Sequence, residues 1–367
     1  MDSMQHAERS APWWQVFVDE IDKLPVSQQT DRLAKLALML AGRRERNSAA
    51  NIALRAWRQE QEAGGGPESD TVRRALCATT SGYHVDISTD EQRIAAWQAS
   101  LAEVVRPGML AFEIGAGSGI LAMLAARAGA DVVSCEKDAI LAVIAAATVR
   151  RNGLSERIRI VAKAGAELRV PHDIPRPAEL LLLDLFSDRL FDFDPFETIR
   201  SVSHLLCPNI VVVPSRVSLE AALVDFGRWN RVVPGSVAGL DLAPLEPLSP
   251  VLSKIDAADP DLVTRSAAET MVSAKLPYEM PSARGVSEHI LISDGGRVNG
   301  IVFWLRLELT PNHVLEARPG LTPRGFYAGA SFFAIRNQVE TLPGQQCSVR
   351  IGWQDKVLTV ERADWRS

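Results

Sequence analysis

Three glycines and two glutamates are the residues whose types and spacing most directly suggest chemistry. Gly115, Gly117 and Gly119 follow an apolar run, Glu113 stands just ahead of them, and Glu136 ends the next apolar run. Because glycine has no Cβ, the chain can turn tightly there and a ligand can lie against bare backbone. A carboxylate at the tip of the following strand can accept both hydroxyl groups of a ribose. The pattern therefore predicts a nucleoside-binding site.

The segments around the glycines predict a strand, a turn, a helix and a second strand. Residues 109–114 are apolar over the length of a strand, apolar positions within residues 120–128 recur with helical spacing, and residues 132–135 are apolar again. The helix would present unpaired N–H groups and a positive dipole end to an anionic group. This is the first βαβ unit of a doubly wound sheet, whose ligands bind at the carboxyl ends of the strands. The alternative, a glycine turn that only packs a strand against a helix, does not account for the two acids.

The spacing of the glycines also bears on which nucleotide binds. A dinucleotide site is typical of Gly-x-Gly-x-x-Gly, whereas residues 113–119 follow the pattern Glu-x-Gly-x-Gly-x-Gly. That spacing resembles the S-adenosylmethionine methyltransferases, in which the acid ahead of the glycines lies near the methionine end of the ligand. S-adenosylmethionine is therefore the predicted cofactor, and NAD is the competing prediction.

Composition narrows the class of protein. The 367 residues suffice for two domains and a sizeable core, and an apolar fraction of 47% is ordinary for a soluble globular protein. A net charge of −5 argues against nucleic acid as a partner. The four cysteines lie far apart without a C-x-x-C pair, which favours a cytoplasmic protein with buried thiols and no metal site. No apolar run reaches about 18 residues and no signal peptide is evident, so no membrane association is predicted.

Changes of composition divide the chain into three segments. Residues 1–67 resemble helices that end in a Gly- and Pro-containing linker, and they form either a packed appendage or a partner-docking hairpin. Residues 68–213 alternate strands and helices and so predict a parallel sheet. Residues 214–367 predict antiparallel strands joined by turns. Within them, the Pro-rich residues 229–285 show little periodicity and form either an arm that reaches a second subunit or a surface excursion.

Local signals place some of the boundaries. Ser88 or Thr89 is the predicted cap of a helix that ends near residue 105. In the last segment, turns are predicted at residues 294–296, 299–300 and 343–344, where glycine follows Asp, Asn or Pro. Each of these turns would separate two antiparallel strands.

The order of these pieces resembles the protein arginine methyltransferase family over roughly residues 81–362. The shared order is a helix, an S-adenosylmethionine-type sheet and a β-barrel with an early insertion. The resemblance implies an α/β Rossmann-like methyltransferase domain followed by an antiparallel β-barrel domain for the substrate. It also implies S-adenosylmethionine as cofactor, S-adenosylhomocysteine as product and a homodimer. Residues 298–309 resemble the barrel of the family's monomethylating, duplicated branch.

The resemblance assigns roles to the cofactor-site residues. The family's N-terminal motif is similar to the stretch from His84 to Arg93, which keeps the family's spacing of nine, and the arginine of that motif holds the S-adenosylmethionine carboxylate. A guanidinium suits that role because it binds a carboxylate through two parallel hydrogen bonds. Glu136 falls where the family's ribose-binding glutamate does, and Glu167 falls near its adenine-binding acid. The alternative for Arg93 and Glu167 is a solvated surface charge.

The substrate loop departs from the family. The family clamps the substrate guanidinium with two glutamates; here Asp184 matches the first, and the second falls near residue 193, between Asp192 and Asp194. We predict that Asp184 and one of those two aspartates hold the guanidinium. Asp188 and Arg189 lie in the same loop and are predicted to contact the substrate. An acidic surface loop without a catalytic role is the alternative.

A second departure lies in the barrel. The family's Thr-His-Trp loop matches Gly325, Phe326 and Tyr327, so the aromatic pair persists and the histidine is absent. We predict that Phe326 and Tyr327 contact the substrate.

These departures favour a small acceptor over a protein. The family includes a branch that methylates free L-arginine in streptozotocin biosynthesis, and Arg189 can pair with the carboxylate of a free amino acid. We therefore predict N-methylation of free L-arginine or a small guanidino compound in natural-product biosynthesis. Methylation of a protein arginine is the nearest alternative, followed by a catalytically silent S-adenosylmethionine-binding scaffold and an NAD-dependent dehydrogenase. The sequence leaves open whether one or two methyl groups are added.

Overall fold

The computed structural model describes residues 12–63, 69–227, 229, 236–242, 244–245, 252–321 and 329–365. The chain forms two compact units. The first comprises the chain up to His84 together with Asp138–Ile144, and the second comprises Val85–Lys137 together with Ala145–Ser367.

Four helices build most of the first unit: α1 (Gln15–Asp22), α2 (Val26–Gly42), α3 (Arg46–Glu62) and α4 (Asp70–Thr79). Helix α2 contacts the other three. Its buried side chains Leu33, Leu36, Ala37 and Leu40 recur with the spacing of one helix face. They form a core with apolar side chains of α3 and α4. The prediction of helices over residues 12–62 is confirmed.

The elements that follow along the chain include five strands and five helices. In chain order they are α5 (Tyr83–Thr89), α6 (Glu91–Val104), β1 (Leu110–Ile114), α7 (Ile120–Ala128), β2 (Asp131–Cys135), α8 (Ala139–Arg151), β3 (Ile158–Val161), β4 (Ala178–Leu183), α9 (Pro195–Ser201) and β5 (Leu206–Val213). A short 3-10 helix, Gly165–Glu167, follows β3. The strands form one sheet in the order β3-β2-β1-β4-β5.

This sheet is parallel throughout its described pairs. All five residues of β1 are buried, as are all but one of the six residues of β4. Such continuous apolar runs are typical of parallel strands covered on both faces. The strand order reverses between β1 and β4, where Ile114 pairs with Leu183. The predicted doubly wound sheet is confirmed, and its ligand crevice lies where these two strands end.

The cap of α6 differs from the prediction. Asp90, rather than Ser88 or Thr89, caps the helix, because its carboxylate accepts a hydrogen bond from the Arg93 N–H at 2.9 Å. Thr89 is the last residue of α5, and its hydroxyl donates to the carbonyl of Val85 at 3.1 Å. The prediction was wrong because a separate short helix occupies the residues before Asp90 and uses the Thr89 hydroxyl itself.

The rest of the chain is antiparallel. Its strands are β6 (Arg216–Phe226), β7 (Ser236–Val237), β8 (Leu240–Asp241), β9 (Ser253–Asp256), β10 (Leu262–Thr264), β11 (Glu269–Lys275), β12 (Gly285–Ile292), β13 (Gly296–Thr310), β14 (His313–Glu316), β15 (Gly329–Thr341), β16 (Gln346–Gln354) and β17 (Val357–Trp365). The largest sheet has the order β10-β6-β13-β15-β9, with β11 added beside β6 and β14 beside β13. Strands β12, β16 and β17 form a second sheet, and β7 pairs with β8. The predicted antiparallel domain is confirmed.

The Pro-rich residues 229–285 contribute strands to the main sheet. Strands β9, β10 and β11 lie in this range and contain four, three and seven residues. Strands of three or four residues are too short to give a recognisable alternation of apolar and polar positions. The proposed role of this range as an arm between subunits stays a prediction.

Asn299 and Gly300 lie inside a strand and not in the predicted turn. The register of β13 against β15 shifts between Val298 and Gly300, which is a β-bulge. The buried Asn299 side chain accepts a hydrogen bond from the Phe226 N–H at 2.8 Å and donates to the Phe226 carbonyl at 2.9 Å. The Asn-Gly pair therefore fixes a bulge against β6, whereas the two other predicted turns do join strands.

Replacing Gly300 by alanine is expected to lower the free energy of unfolding by about 1–3 kcal/mol or more, as overpacking of a core does. A Cβ at this position would lie 2.2 Å from the Phe332 ring and 2.6 Å from the Phe333 carbonyl oxygen. Urea unfolding measures the change. Gly227→Ala is the matched control, because a Cβ there meets no heavy atom within 4 Å. Equal stability of both variants would show that the bulge accommodates a methyl group.

Three further features concern the described part of the chain. None of the helices placed there has both the length and the apolar content needed to span a bilayer. The four cysteines, Cys77, Cys135, Cys207 and Cys347, are free thiols, of which Cys135 and Cys347 are buried. Among the described residues, no cluster of His, Cys, Asp and Glu has the arrangement of a metal site.

Candidate active site

The glycine turn connects β1 to α7 at the sheet crevice. The N–H groups of Gly115 and Ala116 both donate to the Cys135 carbonyl, at 2.9 and 3.0 Å, so the turn is tied to the end of β2. Gly115 and Gly119 have φ angles of +81° and +80°, in the left-handed region that favours glycine. Helix α7 begins directly after Gly119. The predicted strand, glycine turn and helix are therefore all present.

The turn lies against the loop that follows β4. A Cβ at Gly115 would come within 3.1 Å of the Leu185 Cδ2 atom, so a side chain there would displace Leu185. We define the acidic loop as the residues from Asp184 to Asp194, which contain the predicted substrate-binding acids. The glycine turn and the acidic loop therefore adjoin at the edge where β1 and β4 end.

Glu136 is placed to fix the glycine turn from the neighbouring strand. It follows β2, only 7% of it is exposed, and its Oε2 accepts a hydrogen bond from the Gly117 N–H at 3.0 Å. A carboxylate can accept hydrogen bonds on both oxygens. Glu136 therefore joins the turn to the position where a ribose is expected.

Glu113 is the most deeply buried acid of the site. Only 1% of it is exposed, and the Ser134 hydroxyl donates to its Oε2. The pKa of Glu113 is raised to about 8, chiefly by burial and also by the nearby Glu136, while the Ser134 hydrogen bond and the Arg93 charge act in the opposite direction. The raised pKa favours the protonated form of Glu113 at neutral pH.

Arg93 and Asp184 form a buried ion pair. The Nε and Nη2 groups of Arg93 both donate to Asp184 Oδ2, the first at 2.8 Å, and Nη1 donates to the Ile87 carbonyl at 3.2 Å. The side chains are only 4% and 7% exposed. Removing one partner of such a pair leaves an uncompensated buried charge. The pair links α6 to the end of β4, and the predicted contacts of Arg93 with cofactor and of Asp184 with substrate stay predictions.

Apolar side chains anchor the acidic loop. Phe186, Leu190 and Phe191 are buried, and the Phe191 ring stacks on Trp353 of β16 with 5.2 Å between centroids. Leu190 has a φ of +62°, which costs energy for a residue with a branched side chain. A buried, strained leucine persists only where its surroundings fix the backbone. The loop is therefore held in one shape by its apolar residues.

The acids of the loop have different partners. Asp188 accepts a hydrogen bond from the Ser331 hydroxyl of β15 at 2.6 Å. Asp194 has a φ of +50°, precedes α9 and lies 3.7 Å from the Lys356 ammonium group. Asp192 accepts a hydrogen bond from Ser187, and its pKa is raised, first by burial and then by Asp188. These environments favour Asp192 over Asp194 as the second acid of the clamp.

Two positive charges act on the same acid. Arg189 and Lys254 both lower the pKa of Asp192 against the effect of burial. The Arg189 Nη2 group donates to the Leu252 carbonyl at 3.5 Å. Lys254 comes from β9, in the range of weak periodicity, so no sequence signal connected it to the acidic loop. Ser331 and Ser187 were missed as well, because a serine in a strand or loop gives no signal of its own.

The remaining predicted residues fall outside this cluster of contacts. Glu167 ends the short 3-10 helix and is exposed. His84 belongs to the first unit, and its ring centroid lies 4.2 Å from that of Tyr83. Phe326 and Tyr327 fall within residues 322–328, outside the described residues. Their assigned roles stay predictions.

Comparison with known sequences identifies relatives that carry out arginine methylation. The chain is 26% identical over 307 residues to the arginine N(omega)-methyltransferase of Streptomyces achromogenes subsp. streptozoticus, covering 80% of this chain and 82% of that protein. It is 30% identical over 161 residues to protein arginine N-methyltransferase 7 of Oryza sativa subsp. indica, covering 41% of this chain and 22% of that protein. No family model matches the chain.

Comparison with solved structures concerns the fold. The Trypanosoma brucei PRMT1 enzyme–prozyme heterotetrameric complex with AdoHcy superposes with a TM-score of 0.68 at 17% identity, covering 78% of this chain and 94% of that one. At this level of identity the superposition shows a shared fold.

The strand order, the glycine turn and the carboxylate after β2 define a Rossmann-like methyltransferase fold, which is followed along the chain by an antiparallel domain. Within that class, the sequence relatives are arginine N-methyltransferases, and the similarity to them supports the predicted resemblance to the protein arginine methyltransferase family.

Proposed function

We propose that this protein transfers a methyl group from S-adenosylmethionine to a guanidino nitrogen of free L-arginine or of a small guanidino compound. The observation that carries the proposal is that the glycine turn and the acidic loop adjoin, with Leu185 against Gly115. A nucleoside cofactor on the turn and a cation held by the loop would therefore meet at one edge of the sheet.

The residues of the glycine turn fit S-adenosylmethionine. The turn offers bare backbone at Gly115 and Gly119, and Glu136 has the carboxylate that ribose hydroxyl groups require. Arg93 is the candidate for the carboxylate of the methionine moiety. When bound, S-adenosylmethionine supplies an electrophilic methyl group. The product, S-adenosylhomocysteine, would occupy the same residues.

The acidic loop would act by holding and orienting the substrate. A guanidinium is protonated at neutral pH, because its pKa exceeds 12. Carboxylates that contact two of its nitrogens, from Asp184 and Asp192, would localise the positive charge there and leave the third nitrogen to react. The same carboxylates can accept the proton that this nitrogen loses. The contribution is positioning and electrostatic stabilisation in a preorganised site.

Two observations support a free amino acid over a protein as acceptor. The Streptomyces relative aligns over most of its own length, whereas the rice relative aligns over about a fifth of its own. The acidic loop also contains a cation, Arg189, beside Asp192, and a free amino acid brings a carboxylate that a peptide-borne arginine lacks. Protein arginine methylation is the second candidate, and a silent scaffold is the third.

A methyl-transfer assay with radiolabelled S-adenosylmethionine tests the proposal. Free L-arginine and an arginine-rich peptide are offered separately, and products are identified by mass. Label in L-arginine but not in the peptide is the expected result, and the mass distinguishes one methyl group from two. Label in the peptide alone would establish protein methylation. Binding of S-adenosylhomocysteine with no label in either acceptor or in other small guanidino compounds would favour the scaffold.

We further propose that the protein is a homodimer that acts in the cytoplasm and in natural-product biosynthesis. The Trypanosoma brucei relative is a heterotetramer, and residues 229–285 are the candidate for contact between copies. Light scattering on the purified chain gives the mass in solution, and a mass of one chain would contradict the dimer.

Replacing Glu136 by glutamine is expected to weaken S-adenosylhomocysteine binding by about 10- to 100-fold, the usual effect of losing a charged hydrogen-bond acceptor. The glutamine keeps the size of the side chain but loses the charge that holds the Gly117 N–H and the ribose. Isothermal titration calorimetry measures the affinity. Glu156→Gln, at an exposed glutamate after α8, is the control. Unchanged affinity in Glu136→Gln would remove this residue from the cofactor site.

A further inference from the structure

A mixed-charge cluster lies where the acidic loop meets the antiparallel domain. We define the head-group cluster as Asp188, Arg189, Asp192, Lys254 and Ser331. We propose that it binds the amino-acid head group of a free arginine, with Arg189 and Lys254 on the α-carboxylate and Asp188 on the α-ammonium group. This inference rests on the proposed function and specifies how that site distinguishes a free amino acid from a peptide.

The first step is the contact between loop and sheet. The Ser331 hydroxyl donates to Asp188 Oδ2 at 2.6 Å. Ser331 of β15 pairs directly with Lys254 of β9. Directly opposed residues of antiparallel strands have Cβ atoms about 4.5–5.5 Å apart. The Lys254 side chain therefore starts beside the serine that holds Asp188.

The second step is the electrostatic effect of both cations on one acid. Arg189 and Lys254 each interact electrostatically with Asp192, as does Asp188. The Arg189 guanidinium also reaches the Leu252 carbonyl, two residues before Lys254, at 3.5 Å. Arg189 and Lys254 thus lie on the same side of the loop although they are far apart in sequence. Both side chains carry several N–H donors suited to a carboxylate.

The third step concerns the charges of the ligand. A free arginine carries a carboxylate, an ammonium group and a guanidinium, whereas an arginine within a peptide carries only the guanidinium. The head-group cluster offers two cations and two acids: Ser331 holds Asp188 by a hydrogen bond, and Arg189, Lys254 and Asp188 all act electrostatically on Asp192. A site for the guanidinium alone needs acids and gains nothing from two cations, since like charges repel. The cations beside Asp192 therefore match a substrate that brings its own negative charge.

The test compares three acceptors with one functional group changed at a time. L-arginine carries the whole head group, agmatine lacks the carboxylate, and 5-guanidinovalerate lacks the ammonium group. The quantity measured is kcat/KM for each acceptor with the full-length chain. We expect the unmodified protein to prefer L-arginine over agmatine by about 10- to 100-fold, as for charged hydrogen bonds.

Variants assign that preference to residues. Lys254→Met and Arg189→Met are expected to lower kcat/KM for L-arginine by about 10-fold or more and so reduce its preference over agmatine. Asp188→Asn is expected to reduce the preference for L-arginine over 5-guanidinovalerate. Lys275→Met is the matched control, because Lys275 is an exposed lysine on β11, which pairs with β6 and not with β15.

The outcomes separate this inference from the proposed function. If the unmodified protein methylates L-arginine but Lys254→Met and Arg189→Met leave its preference over agmatine unchanged, the inference is wrong and the proposed function stands. If the unmodified protein methylates only an arginine-rich peptide, the proposed function fails and the inference fails with it. Circular dichroism of each variant shows whether a loss reflects the site or the fold, and agmatine turnover gives a second check.

Discussion

Replacing Asp184 by asparagine is expected to lower turnover by about 100- to 1,000-fold, the range found when one charge-stabilising group is lost from an active site. The same change is expected to lower the free energy of unfolding by about 3–5 kcal/mol. Both effects have one cause. The asparagine has nearly the same shape but no charge, so it removes the carboxylate charge beside the Arg93 guanidinium, of which 4% is exposed.

Cofactor affinity is expected to be retained in this variant. Without Asp184, the Arg93 guanidinium loses the carboxylate that accepts from its Nε and Nη2 groups, so a carboxylate from a bound ligand would gain those donors. S-adenosylhomocysteine should therefore raise the melting temperature of Asp184→Asn at least as much as that of the unmodified protein. Loss of S-adenosylhomocysteine binding along with turnover would instead show that the ion pair shapes the cofactor site.

Two further variants act as controls for Asp184→Asn. Asp184→Glu keeps the charge and restores the residue type of the wider family, so it should recover most of the stability. Asp194→Asn removes an acid of the same loop whose nearest cation is Lys356 at 3.7 Å, a partly exposed pair that contributes little. Turnover of Asp184→Asn equal to that of Asp194→Asn would remove Asp184 from the mechanism.

The sequence predicted those structural elements that are determined by the residues of one continuous segment. The apolar run before Gly115, the helix after Gly119 and the carboxylate after β2 follow from residue spacing, and the structure contains all three. The order of helices, parallel sheet and antiparallel domain is likewise confirmed. Each of these features depends on the periodicity of a continuous segment, which a single sequence displays directly.

The features that the sequence did not reveal depend on contacts between distant segments. Arg93 and Asp184 were assigned to cofactor and substrate separately, and their mutual ion pair spans 91 positions. Asn299 and Gly300 have the composition of a turn, but Phe226 of another strand decides that they form a bulge. Lys254 lies near the acidic loop because its strand, β9, pairs with β15, whose Ser331 contacts Asp188.

The pH dependence of stability is expected to depend strongly on Glu113. Burial raises its pKa to about 8, compared with 4.5 for an exposed glutamate. Between these values the folded protein binds a proton that the unfolded chain has released, so stability falls as pH rises. The contribution is fully present below about pH 4.5 and is lost as pH rises through about 8. A separation of this size corresponds to on the order of 3–5 kcal/mol.

The Glu113→Gln variant should remove most of this slope. Glutamine has the size of a protonated glutamate, and its carbonyl oxygen can still accept the hydrogen bond from Ser134. Urea unfolding of both proteins at intervals between pH 5 and 9 measures the difference in slope. This range covers most of the interval between the two pKa values, 4.5 and about 8, and extends above the higher one. The unmodified protein should lose stability across this range, and Glu113→Gln should lose much less.

Glu197→Gln provides the matched control, because Glu197 is an exposed glutamate of α9 and should leave the slope unchanged. If Glu113→Gln instead keeps the full slope, another group titrates over this range and Glu113 is ionised in the folded protein. An ionised Glu113 would also be an unpaired charge in the sheet core, which costs several kcal/mol, so Glu113→Gln would then be more stable than the unmodified protein at neutral pH. The variant is more stable at pH 7 in either protonation state, because a protonated Glu113 also costs the folded protein a proton there; the slope between pH 5 and 9 therefore identifies the protonation state of Glu113.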